Sequence, residues 1–270
     1  MENFSRRASL ARYLDTVFPF SAARLSTIPW DFILILIVLG VVVPWRGAVR
    51  VRRLLARPAL TSSERLSLYA STIVFQWSIV AVVYWRATAR HMSHAELGLV
   101  FSNAWQTLAI GFGFTALLCV NQWAGLRKIA SVPADQRGFL FQFTQKIMPQ
   151  TSTEAWVFVA LALTAGLSEE FIYRGFVLAI FSGVPIGVFS AAIISSLWFA
   201  VAHAYQGRRG VATTFVVGMF FSLLRLWTAN LLPAIMGHVG VDLIAGLYAP
   251  RILRVKTNSD DNLNHIDRTS

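Results

Sequence analysis

The stretch GLSEEFIYRGF, Gly166 to Phe176, sets two adjacent glutamates and an arginine inside one of the most apolar parts of an apolar chain. An ionised side chain at the centre of a membrane-spanning helix costs about 2.5–3.5 kcal/mol on insertion scales. Such groups are tolerated inside a bilayer where they face one another or a wet cavity. The stretch therefore reads both as part of a buried helix and as a candidate site.

Its surroundings agree. The chain has 270 residues, of which 56% are hydrophobic and 14% charged, whereas a soluble domain carries about 25% charged residues. The expected fold is all-α, a polytopic transmembrane helix bundle of about seven spans, with room for an eighth. A span needs roughly 20 apolar residues, and candidates run over 28–45, 67–86, 105–124, 153–181, 185–204, 210–227 and 230–249. The fourth would extend ~43 Å at ~1.5 Å per residue, so it must tilt, kink or pass beyond the bilayer. Residues 1–25 read as a basic arm lying on the membrane, 26–150 as N-terminal spans, 151–250 as a core carrying the polar groups, and 251–270 as a disordered polar tail. Asp15, Pro19 and Arg24 interrupt the apolar stretch near the start, which argues against a cleaved signal peptide.

The net charge of +11 is spread over short basic segments between spans. That is how a membrane protein marks its cytoplasmic loops, and it points to lipid rather than nucleic acid as the partner. Alternate loops hold sixteen and seven basic residues, which places the C-terminus in the cytoplasm. Cys119 is the single cysteine, so an intrachain disulfide and a cysteine zinc site are both excluded.

Six ionisable groups fall inside the spans and away from their ends: Glu169, Glu170, Arg174, His203, His238 and Asp242. Glu170 and Arg174 are four apart and share a helix face, as an ion pair would require. Glu169 is turned about 100° away and is left to face other helices. Phe199 shares a face with His203, against which it packs, and His238 shares one with Asp242. Counting ~1.5 Å per residue from the span ends puts Glu169, His203 and His238 at a common depth on three helices. A carboxylate with two imidazoles can activate water as general base and proton donors. The same trio can equally ligate zinc with one position open. Gln76 reads as an interhelical hydrogen-bonding residue.

Three motifs stand in order over these residues: SEEFIYRGF fits EExxxR, FAVAH (Phe199 to His203) fits FxxxH, and HVGVD (His238 to Asp242) fits an HxxxN/D pattern. Together they resemble the CAAX-processing and bacteriocin-processing intramembrane proteases, which include type II CAAX prenyl endopeptidases and many bacterial members linked to bacteriocin immunity. The resemblance covers roughly residues 150–250. It implies an α-helical membrane endopeptidase, in a bacterial plasma membrane, acting on a peptide or lipidated protein. Glu169 would activate water, His203 would position or polarise it, and His238 with residue 242 would stabilise the oxyanion. Glu170, Arg174 and Phe199 would support them. The resemblance leaves open whether zinc is held by Glu169, His203 and His238. Many members have Asn where this chain has Asp242, and an ionised aspartate only accepts hydrogen bonds. A non-catalytic scaffold or immunity factor on the same fold is the alternative. A proton-coupled transporter finds no support in repeat symmetry.

Overall fold

The computed structural model describes residues 28–101 and 103–254. The expected basic arm over 1–25 and all but residues 251–254 of the expected disordered tail over 251–270 lie outside the described residues, and Arg251 and Ile252 belong to a helix rather than to a disordered tail. Eight helices follow in order: α1 (Trp30–Leu55), α2 (Ser62–Ala89), α3 (Ala104–Ala130), α4 (Gly138–Ile147), α5 (Ser152–Ser182), α6 (Val188–Ala202), α7 (Gly207–Thr228) and α8 (Leu232–Ile252). No strand occurs among the described residues. The chain is a helical polytopic bundle, with six helices among the described residues long and apolar enough to cross a membrane and α6 as a shorter apolar one.

Local sequence starts the helices where they start. Thr61 accepts from the Glu64 amide while Glu64 returns a bond to the Thr61 amide, a reciprocal cap that opens α2. Thr151 caps α5 by accepting from the Glu154 amide, and Asn103 caps α3 by accepting from that of Gln106. Apart from Trp45 and Trp77, which lie inside α1 and α2, the exposed tryptophans mark two levels. Trp30, Trp85, Trp105 and Trp227 lie at one end of α1, α2, α3 and α7, while Trp156 lies at the opposite end, on α5. Aromatic rings with one polar atom favour the two bilayer interfaces in this way. The short α4 lies on the second side, between α3 and α5, beside the basic loops.

Two helices depart from the simple span pattern. The long fourth span is α5, and its extra length is taken up by a wide π-helical segment, Phe171–Val177, directly after Glu170. Such segments open the helix by one residue per turn and often mark functional positions. The expected fifth span ends earlier than its apolar pattern suggests. α6 stops at Ala202, His203 is its C-cap rather than a residue inside it, and a 3₁₀ turn Ala204–Gln206 leads to Gly207 at φ +75°. At 15 residues α6 covers ~22 Å, short of a ~30 Å hydrocarbon core. Ala204 and Tyr205 follow before the polar run that begins at Gln206, so hydropathy places the end of this span about two residues late.

The largest buried cluster joins Phe32, Leu36 and Leu39 of α1, Val83 and Ala87 of α2, the π-helical part of α5, and Phe199 of α6. The polar stretch of α5 is thus wrapped on several sides. Helix α8 packs closely along both α3 and α5. Close approach to α5 depends on Gly166: a Cβ there would lie 2.5 Å from Val239 Cγ2. That contact is one turn before Glu170, so the missing side chain is what lets His238 reach α5.

Candidate active site

All three helices that the sequence singled out meet at α5. Glu170 is fully buried, and its Oε1 accepts from Arg174 Nη1 at 3.0 Å along the helix and from His238 Nδ1 at 2.7 Å across to α8. The expected pair with Arg174 forms, and Glu170 is in addition a junction between two helices, because a carboxylate oxygen can accept two bonds and α8 comes close enough to supply the second. Arg174 is also fully buried. Its guanidinium lies 4.1 Å from the centre of the Phe199 ring and 5.3 Å from that of Phe221, and Nη2 donates to the Gly218 carbonyl at 3.2 Å. Aromatic faces and a carbonyl thus replace the water this cation has lost.

Glu169 points elsewhere. Its Oε2 lies 3.8 Å from His203 Nε2 and 4.0 Å from His238 Nε2, while its Oε1 accepts from Gln76 Nε2 of α2 at 2.9 Å. Oε2 is buried and has no hydrogen-bond partner among the described residues. Asp242 stands one turn below His238, with Oδ2 3.7 Å from Nε2, and remains about a third exposed. Phe199 lies beneath both imidazoles, at ring-centre distances of 4.7 Å to His203 and 5.9 Å to His238.

The second nitrogen of each imidazole fixes what the first can do. His203 Nδ1 lies 2.9 Å from the Phe199 carbonyl and His238 Nδ1 lies 2.7 Å from a carboxylate, and both partners only accept. Each Nδ1 therefore carries hydrogen, and in the neutral ring each Nε2 is left as an acceptor. Neutral His203 Nε2 and Glu169 Oε2 are then two acceptors facing one another. A water donating to both at about 2.8 Å spans 3.8 Å comfortably.

Two imidazole nitrogens and a carboxylate oxygen are also a zinc-type donor set. Tetrahedral zinc with bonds of about 2.0–2.1 Å sets neighbouring donors about 3.3 Å apart, against 3.8 and 4.0 Å here. Among the described residues no group of three or more His, Cys, Asp or Glu is placed to hold an ion. As placed the donors do not fit zinc, and no step below passes through a metal.

A cavity of about 910 Å³ reaches this cluster from the basic side of the bundle. Arg46, Arg50, Arg53 and Arg57 of α1 line it, as do Tyr69, Gln76, Glu169, His203 and Tyr205. Sequence reasoning missed two features here. Gln76 was expected to bond between helices, but nothing in its own helix named Glu169 as the acceptor. Tyr205, whose ring centre is 5.8 Å from that of His203 and 6.0 Å from that of Phe143 on α4, carried no motif at all.

Residues 151–244 match the family model described as Type II CAAX prenyl endopeptidase Rce1-like. Comparison with curated proteins and with solved structures gives no match. The matched segment contains α5, α6, α7 and most of α8, and with them every residue of the polar cluster except Gln76. Over residues 151–244 this helical membrane protein is therefore similar to the type II CAAX prenyl endopeptidases, a family of membrane proteases.

Proposed function

We propose that the protein hydrolyses a peptide bond near the bilayer surface with water activated by Glu169 and His203. The observation that carries this reading is the buried Oε2 of Glu169, which has no hydrogen-bond partner among the described residues and faces two tautomerically fixed imidazoles. Glu169 takes a proton from a water held between its Oε2 and His203 Nε2 as the water oxygen attacks the scissile carbonyl carbon. The carbonyl oxygen becomes an oxyanion, and His238, in its charged form, donates to it from Nε2 while Nδ1 stays on Glu170. When the C–N bond breaks, the proton on Glu169 passes to the leaving amine. Water has then been divided between the two products.

The substrate we infer is a lipidated or prenylated peptide. Its lipid stays in the bilayer while its backbone enters the cavity from the basic face. By the excess of basic residues that face is cytoplasmic, and with it the C-terminus. Protein reconstituted in liposomes, with a panel of prenylated, acylated and unmodified peptides, tests the reading. Cleavage is expected with wild type and not with Glu169→Gln or His203→Ala of unchanged thermal stability. Equal cleavage by these variants would sink it. Dialysis against a chelator is expected to leave the rate within about twofold. Loss of cleavage with rescue by zinc would replace the water-only reading by a metal one.

A further inference from the structure

We propose that Gln76 on α2, outside the matched segment, is a positioning residue that holds Glu169 in its reactive orientation. The proposal rests on Glu169 being the base. Gln76 Nε2 donates to Glu169 Oε1 at 2.9 Å. This contact makes the two oxygens of one carboxylate unequal: Oε1 is engaged by α2, and Oε2 is turned to the imidazoles. A carboxylate without such a tether rotates freely about its last bond, and a base must present a lone pair along one direction.

Three features separate this from a bond that merely ties two helices. First, the tie exists elsewhere. Trp77 Nε1 donates to Thr164 Oγ1, and Arg65 forms a two-point ion pair with Glu154, both joining α2 to α5. Second, the amide can sit only one way round, since a flipped Gln76 would set its oxygen against the Glu169 oxygen. Third, in this orientation Gln76 Oε1 is buried and has no hydrogen-bond partner among the described residues. A residue placed for adhesion would satisfy both ends of its amide, whereas this one satisfies only the end that touches Glu169. Its chemistry also suits the task. A neutral amide fixes the direction of a carboxylate without cancelling its charge, as an arginine in its place would.

The test uses the full chain in liposomes with Gln76→Met, which keeps length and shape, and Gln76→Asn, which keeps the amide but falls short of Glu169. Infrared difference spectra against Glu169→Gln isolate the Glu169 carboxylate band. Both Gln76 variants are expected to shift that band, and to lower kcat about 10–100-fold with KM within about twofold. An unshifted band in a folded variant overturns the proposal, and so does a shifted band with unchanged kcat. Having both variants guards against misfolding of one. If wild type cleaves no peptide, a shifted band still supports the tether while the protease reading falls, so the two failures stay distinguishable.

Discussion

Two buried pairs of arginine and glutamate involve α5, one joining Arg65 of α2 to its first turn and one lying within it further along, and they are built differently. Arg65 donates to Glu154 from both Nε and Nη2, at 2.8 and 3.0 Å, and gives Nη1 to the Leu60 carbonyl at 2.7 Å. Glu154 also accepts from the Gln150 amide at 2.8 Å, so both of its oxygens are engaged. Arg174 and Glu170 share a single ion-pair contact, and Arg174 Nε and Glu170 Oε2 are buried without a hydrogen-bond partner among the described residues. Buried polar atoms are normally paired, and each exception asks for a reason. The first pair is a closed strut between α2 and the first turn of α5. The second is an open cluster, strained in its hydrogen bonding where chemistry would be done.

Breaking the open cluster at its centre should have the largest effect on rate. Glu169→Gln is expected to lower kcat by about 10³-fold, with thermal stability almost unchanged, if the carboxylate is the proposed base and not a strut. A purified-protein cleavage assay beside a melting curve reads both quantities. His203→Ala should follow at about 10²-fold, since in the proposed reaction His203 accepts from the water but does not take its proton. The strut should answer in the opposite way. Glu154→Ala strands Arg65 and is expected to cost about 3–5 kcal/mol of stability. Activity per folded molecule, measured well below the melting temperature, should stay near wild type. A rate loss in Glu154→Ala that outlasts correction for the folded fraction would erase the distinction between the two pairs.

Asp242→Asn should show the smallest change, within about fivefold in kcat. Asp242 Oδ2 lies 3.7 Å from His238 Nε2, beyond a direct hydrogen bond. An amide there supplies a donor beside the oxyanion and removes an acceptor from His238. A loss of several hundredfold would show that the carboxylate of Asp242 is itself required, and would move it to the centre of the site beside Glu169.

Much of this was legible in the sequence, for a definite reason. Charges inside apolar helices are costly enough that few are present, so Glu169, Glu170, Arg174, His203, His238 and Asp242 stood out against their background. The seven apolar helices were visible from run length alone. Three things were not. Glu154 is a helix-start residue, its amide donating to the Thr151 hydroxyl. That its side chain also reaches Arg65, 89 positions earlier, depends on packing that no local pattern encodes. The stop of α6 at Ala202, where His203 turns its ring back to the Phe199 carbonyl, is a cap contact that hydropathy, which ends the span near 204, does not resolve. The attachment of Gln76 to Glu169 pairs a common interhelical residue with one particular acceptor, and only three-dimensional placement could choose it.

The early stop of α6 has a mechanical consequence for the surrounding lipid. A helix of ~22 Å in a ~30 Å hydrocarbon layer leaves the bilayer beside it to thin or the neighbouring helices to shield it. Either response brings headgroups and water down toward His203 on the basic side and shortens the path a membrane-anchored chain must travel. Thickness mismatch costs fractions of a kcal/mol per Å. Acyl-chain length then becomes a dial on this protein, and bilayers of shorter lipids should relieve the mismatch at α6 and ease entry to the cavity.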